Sequence, residues 1–298
     1  MSKTSILNFP WKKFFAGLYF KALETDIFSR SAQVAFYFSF SLFPLLFFLV
    51  SLFGLVLEST DGLKLEIFAY LRQIMPTSAF DLVRKTVEEI VDSSSSGKLT
   101  LGLAITLWSA SAGIDSIRNA LNAVYEVRET RWWWRTKLES LGLTLLLILL
   151  TAVVLAIVFY GWQLVQYGLA AIGLQVTSPL VLISIQWVSI LLVMLFTCEV
   201  IYNLLPNFGR FRWAWITPGS VVAIISWLLL TSGFRLYLEY FNSYNKAYGS
   251  LGAVIILMLW LYLTAIVVMI GGAINAVYES IRDGSVESEL PVSDEALT

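Results

Sequence analysis

Five stretches contain no Asp, Glu, Lys or Arg: 31–57, 99–114, 140–198, 213–234 and 247–278. They are 27, 16, 59, 22 and 32 residues long and take up more than half of the 298-residue chain. About 20 apolar residues cross a bilayer as a helix. The runs of 27, 22 and 32 residues therefore hold one span each. The run of 59 holds two, with Gly168, Gly173, Ser178 and Pro179 marking a turn near its middle. The run of 16 spans only if it continues past Asp115 to about Ile117. This predicts six helices, at about 31–57, 99–117, 140–166, 180–204, 213–236 and 249–277. Backbone groups in hydrocarbon must be satisfied within a helix or a closed barrel, and no long stretch here alternates with period two. The expected fold is all-α: a polytopic membrane protein with about six transmembrane helices.

Composition agrees with lipid as the solvent. Apolar residues are 58% and charged residues 14%, against about 45–50% and about 25% in soluble domains, and mean hydropathy is +0.76. Orientation follows from Lys and Arg near the spans. Thirteen fall on the side of the N-terminal arm, the 118–137 connection, Arg210, Arg212 and Arg282, and seven on the other. Both termini are expected in the cytoplasm, in a bacterial inner (plasma) membrane. No signal peptide is read at the N-terminus, because charges run to Arg30 and the apolar stretch after it is too long.

Three regions lie outside the spans. Residues 1–30 read as a cytoplasmic interfacial arm, with Phe9, Trp11, Phe14, Phe15, Leu18 and Tyr19 interleaved with lysines. Residues 58–98 form a polar insertion within the 31–279 membrane domain. Leu63, Ile67, Leu71 and Ile74, then Phe80, Val83, Val87 and Ile90, predict an extracytoplasmic amphipathic helical hairpin, with Ser93–Gly97 as a flexible link. It reads either as a lid over a substrate entry or as a packed cap. Residues 280–298 read as an acidic disordered tail. The segment 131–135, Arg-Trp-Trp-Trp-Arg, reads as an aromatic anchor at headgroup level.

The residue inventory restricts the chemistry. There is no histidine, which removes Ser-His-Asp and Cys-His catalysis and imidazole metal sites. The lone Cys198 sits in an apolar run and reads as packing, and no disulfide is possible within the chain. A net charge of −1 gives no field for nucleic acid. There is no P-loop pattern. Hence no catalytic residue, metal or cofactor is expected. The expected partners are membrane lipids, with homo-oligomerisation left open.

Several polar residues remain as substrate or cavity candidates. Glu199 lies inside the fourth span with Asn203 one turn on, on the same face. An acid at that depth is either functional or held by a hydrogen bond to a neighbouring helix. Ser111, Asp115, Asn119 and Asn122 recur at helical spacing. They line a cavity open to the cytoplasm or form the wet side of an interfacial helix. Pro44 and Pro218 mark helix breaks. Tyr244, Tyr248, Gly249 and Gly252 precede or open the last span as packing residues. Residues 120–126, Ala-Leu-Asn-Ala-Val-Tyr-Glu, are echoed at 273–279 by Ala-Ile-Asn-Ala-Val-Tyr-Glu, which reads either as an internal repeat or as chance.

An ordered set of short motifs runs through about 15–280. It comprises Ala35-Phe36-Tyr37, Ser41-Leu42-Phe43-Pro44-Leu45, Leu107-Trp108-Ser109-Ala110-Ser111, Ala120 to Tyr125, Leu205-Pro206-Asn207, Trp213 and Pro218-Gly219. Tyr244, Tyr248-Gly249-Ser250-Leu251-Gly252-Ala253, Leu259-Trp260-Leu261-Tyr262 and Gly271 to Ala276 complete it. In this set the chain resembles the YihY/virulence-factor BrkB family of bacterial inner-membrane proteins. The resemblance implies six membrane helices and cytoplasmic termini. It implies no settled activity: members have carried a ribonuclease BN label, and others are described as transporters, lipids included. The family pattern often has Gly-Ala-Glu in the last helix where this chain has Gly271-Gly272-Ala273, so a proton-coupled mechanism at that point has no carboxylate here. Phosphodiester hydrolysis needs an acid–base pair or clustered metal-binding carboxylates, and the acids of this chain are scattered. The reading reached from sequence is a non-enzymatic transporter or flippase of a lipid or other amphiphilic envelope molecule. An ion or proton exchanger and a non-transporting assembly factor are the alternatives.

Overall fold

The computed structural model describes residues 9–41, 96–171, 178–209, 213–240 and 250–283. Among them there is helix and no strand. The helices are α1 (Trp11–Glu24), α2 (27–41), α3 (Ser96–Val124), α4 (Trp133–Ala171), α5 (Pro179–Leu204), α6 (Pro218–Tyr240) and α7 (Ser250–Arg282). Four stretches are long and apolar enough to cross a membrane: Trp133–Val158, Leu180–Leu204, Pro218–Leu238 and Val254–Asp283. They correspond to the last four of the six expected spans. The first expected span enters α2 and passes beyond Ser41, outside the described residues. The second lies within the 29-residue α3.

The boundaries differ from the charge-free runs for local reasons. α4 starts at Trp133 rather than near 140, so Trp133, Trp134 and Arg135 form its first turn, with both tryptophans exposed. α6 starts at Pro218 rather than 213, because a proline fits the first helical position, where its missing N–H has no partner to lose. Ser96 and Gly97, read from sequence as part of a flexible link, open α3. Residues 58–95, the tail beyond Asp283, Pro44, Tyr244, Tyr248 and Gly249 lie outside the described residues.

The chain divides into two compact units. One comprises Met1–Phe36, Ser116–Trp132 and Leu149–Thr298; the other comprises Tyr37–Asp115 and Trp133–Ile148. In the first, α7 is the centre. α1 lays Phe14 against Ile274 and Val277 near the end of α7, and Gly17 lets the two helices approach, since a Cβ there would stand 3.2 Å from Val277. The opposite side of α1 shows Trp11, Phe15, Tyr19 and Leu23, four apart and all more than half exposed. α6 approaches α7 at Gly219 and Gly271: a Cβ on Gly219 would collide with the Gly271 carbonyl oxygen. Gly272 receives Leu121 and Val124 from the end of α3. Tyr202 of α5 donates its hydroxyl to the Val268 carbonyl at 2.8 Å. The spans themselves leave most of their side chains uncovered by protein, as helices facing lipid do.

In the second unit α2 meets α3 at Gly113, where an added Cβ would stand 2.6 Å from Ser41 Oγ and 3.0 Å from Phe38.

Candidate functional site

A helix start leaves up to four backbone N–H groups without intrahelical acceptors, and where they are buried other protein groups must complete them. The start of α6 shows how this chain answers that need. Pro218 has no N–H to satisfy. The Gly219 N–H donates to Asn275 Oδ1 of α7 at 2.7 Å. The Ser220 N–H donates to Thr217 Oγ1 at 3.3 Å, and Val221 closes the first helical bond to the Thr217 carbonyl. Thr217's own N–H donates to Glu199 Oε1 of α5 at 2.7 Å. Thr217 is thus the N-cap residue, held from two other helices.

Glu199 is 1% exposed. Its Oε1 accepts from the Thr217 N–H at 2.7 Å, the Thr217 hydroxyl at 3.1 Å and the Ser220 hydroxyl at 2.5 Å, while Oε2 accepts from Asn203 Nδ2 at 3.0 Å. Asn203 also grips both backbone groups of Ala214: its Oδ1 accepts the Ala214 N–H at 3.0 Å and its Nδ2 donates to the Ala214 carbonyl at 3.2 Å. Asn275 completes the joint by donating Nδ2 to Thr217 Oγ1 at 3.0 Å. Two side chains one turn apart on α5 therefore hold the irregular segment before Pro218, and a third from α7 holds the turn after it.

A second polar group lies at the end of α3. Asn122, 5% exposed, accepts the Asn207 N–H on Oδ1 at 2.9 Å and donates to Glu129 Oε2 at 3.2 Å. Arg131 grips both oxygens of Glu129, at 2.7 Å each, and reaches the Leu205 carbonyl at 3.2 Å. The hydrogen bonds from Arg131 hold the Glu129 carboxyl down at about 2, against an ordinary value of 4.5. Asn207 donates Nδ2 to the Arg128 carbonyl and Thr130 Oγ1, each at 2.9 Å. α3 itself stops in a turn with Glu126 in the left-handed region (φ 55°), where Val127 N–H returns to the Asn122 carbonyl at 2.9 Å. Glu126 pairs with Lys21 of α1. Tyr125 packs edge-on against Phe208 at 4.9 Å and hydrogen-bonds Asn275; burial pushes its hydroxyl well above the usual phenol range.

In the other unit, Lys137 bonds Asp115 Oδ2 at 3.0 Å and lies 4.7 Å from the centre of the Trp108 ring, and Ser140 donates to Asp115 Oδ1. Ser111 is fully buried and returns its hydroxyl to the Trp108 carbonyl at 2.7 Å.

The structure brings Glu199 and Asn203 together, as their spacing predicts. It gives the four polar residues of α3 separate surroundings: Ser111 bonds within its own turn, Asp115 meets Lys137 and Ser140, Asn119 is exposed and Asn122 holds Asn207. Pro218 opens α6, and Gly252 lies in the first turn of α7. Thr217, Ser220 and Asn275 are absent from the sequence-based candidates. A signal for Thr217 exists, since Thr before Pro is an N-cap followed by a favoured first helical residue. Arg118, counted in the sequence as an orienting charge, is 1% exposed. Among the described residues no group of three or more Cys, Asp or Glu is placed to hold a metal ion.

Comparison with known proteins places these residues in a family. The model of the family described as virulence factor BrkB matches residues 18–294. A Bacillus subtilis protein, YfkH, whose name calls it ribonuclease-like, is 32% identical over 248 residues, covering 83% of this chain and 88% of its own. The UPF0761 membrane protein Smlt0865 of Stenotrophomonas maltophilia is 26% identical over 285 residues, covering 92% of this chain. A UPF0761 membrane protein of Xanthomonas oryzae is 26% identical over 295 residues, covering 97%. The chain spans 62% and 64% of the length of these last two relatives. No solved structure matches.

Proposed function

The chain belongs to the virulence factor BrkB family, and from that premise we propose that this membrane protein is a transporter or flippase of a lipid or other amphiphilic envelope molecule. It works in the bacterial inner membrane, with six spans and both termini in the cytoplasm. The observation that carries this reading is where the charges stop. In the four described spans every Asp, Glu, Lys and Arg lies within two turns of an end, so the middle of each is uncharged. Such a path suits acyl chains better than ions, whose passage needs polar or ionisable groups at depth.

Glu199 counts against the ion-exchanger alternative. A carrier carboxylate must release its partners to take a cargo ion, and both oxygens of Glu199 are engaged by protein donors. In this reading the joint is a fixed wall of the path and not a headgroup contact. The same closure favours a second reading, a non-transporting assembly factor of the envelope, because every group of the joint is spent on holding helices together. A nuclease is not proposed. The chain has no histidine, and the ribonuclease-like name belongs to a relative.

The two readings separate in proteoliposomes carrying the purified protein and a fluorescent phospholipid. Transport makes the inner-leaflet probe reachable by an impermeant quencher, so quenching rises above the protein-free level of about one half. Quenching fixed at that level, under an imposed proton gradient and without one, would reject the flippase reading for that lipid class and leave the assembly factor ahead.

A further inference from the structure

The echo between 120–126 and 273–279 has a structural counterpart that its wording alone does not contain. In both copies the third residue is an asparagine, 5% exposed. In both, its Oδ1 accepts the backbone N–H of the residue that follows a proline. Asn122 takes Asn207 after Pro206 at 2.9 Å, and Asn275 takes Gly219 after Pro218 at 2.7 Å. In both, Nδ2 is spent on a side-chain oxygen, that of Glu129 in the α3–α4 connection for Asn122 and that of Thr217, just before Pro218, for Asn275. The first, second, third and fifth residues of each copy are buried. The copies touch, since Gly272 faces Leu121 and Val124 while Asn275 meets Tyr125, so their helices run in the same direction.

We infer that these segments are one structural unit used twice, an asparagine clasp at the same end of two related helices. The pair positions the end of α5 and the start of α6. The physical need is the same at both places. A proline interrupts backbone pairing, and the N–H that follows is left in a buried setting without a helical acceptor. Chance resemblance would not place the same atom of the same residue on the same kind of peptide group. Because the two copies end helices of one direction, the repeat is parallel and not inverted. The inference stands apart from the transport reading.

Amide hydrogen exchange of the full-length protein in nanodiscs tests it. An intramolecular hydrogen bond is worth about 0.5–1.5 kcal/mol, or up to about tenfold in local opening. Asn122→Ala should speed exchange in the peptide carrying Asn207 by up to about tenfold and leave that of Gly219 unchanged. Asn275→Ala should do the converse. An amide that keeps its wild-type rate in its own variant would overturn the inference, as would either variant releasing both amides equally. Should an alanine variant fail to fold, an aspartate variant keeps the acceptor oxygen and is read in its place. Asn122→Asp is then combined with Glu129→Gln to remove the like charge. Protection retained at the partner amide supports the clasp, and its loss overturns it.

Discussion

A carboxylate within a membrane helix costs several kcal/mol unless its lone pairs are occupied, and Glu199 meets that condition with donors from α5, the segment before α6 and α6 itself. The cost of a substitution should follow how many donors it strands. Glu199→Ala strands the N–H and hydroxyl of Thr217, while Ser220 and Asn203 keep backbone carbonyls as acceptors, and each stranded buried donor costs about 1–3 kcal/mol. Glu199→Gln keeps an acceptor for Thr217 and Ser220 but turns an amide towards the Asn203 amide, costing about 1–2 kcal/mol. Thermal unfolding in detergent should rank wild type above Gln and Gln above Ala; equal midpoints for Ala and wild type would show that the joint holds nothing. Glu129 gives a pH-dependent counterpart. Its carboxyl is held at about 2 against 4.5 when unfolded, so its contribution is present above about pH 4.5 and is lost as pH falls through about 2. The wild type should therefore lose stability across that window, and Glu129→Gln should lose less; parallel curves would remove Arg131 as a stabilising partner.

Between helices, the decisive contacts are glycines, and they separate cleanly by what surrounds them. Gly219 and Gly271 each face backbone of the other's helix, and no rotamer change relieves a collision with a carbonyl. Gly219→Ala should therefore push α6 off α7 and break the Asn275 bond to the same residue, abolishing folded material on size exclusion. Gly142 in α4 has nothing within 4 Å of a built Cβ. Gly142→Ala should stabilise by about 0.5–1 kcal/mol through helix propensity alone, read as a higher unfolding midpoint. The contrast shows what a sequence of this kind discloses. Helices and their approximate ends follow from where charges stop, because lipid excludes charge over a fixed thickness. The Glu199–Asn203 pair was legible because i and i+4 share a face. Thr217 and Asn275 were not, since their roles depend on a contact between positions 58 apart in sequence. The start of α6 was misplaced by five residues for a related reason. Trp213 to Thr217 is apolar enough to look like a span, while Pro218 and the joint decide where the helix begins.

At the scale of the molecule, one set of contacts fixes which parts share a side of the membrane. Lys21 of the arm pairs with Glu126 after α3, Asn122 holds Asn207 after α5, Asn275 holds the start of α6, and α1 lies along the end of α7. The arm, the 125–131 connection, the α5–α6 connection and the residues after α7 must therefore all be on one side, whichever side that is. Charge supplies the choice, with thirteen Lys and Arg against seven. The expected topology, with all four parts in the cytoplasm, can fail at each of its points. Single cysteines at Glu24, Arg128 and Asp283, introduced into a Cys198→Ala background, should stay unlabelled by an impermeant maleimide in intact spheroplasts and react once the membrane is opened. A cysteine at Glu66 in the insertion should react in intact spheroplasts. Labelling of all three inner sites from outside would invert the molecule and reject the charge argument while leaving the contacts intact. Labelling of only one or two would break the contacts themselves, because Lys21 and Glu126 cannot pair across a bilayer whose core is about 30 Å thick.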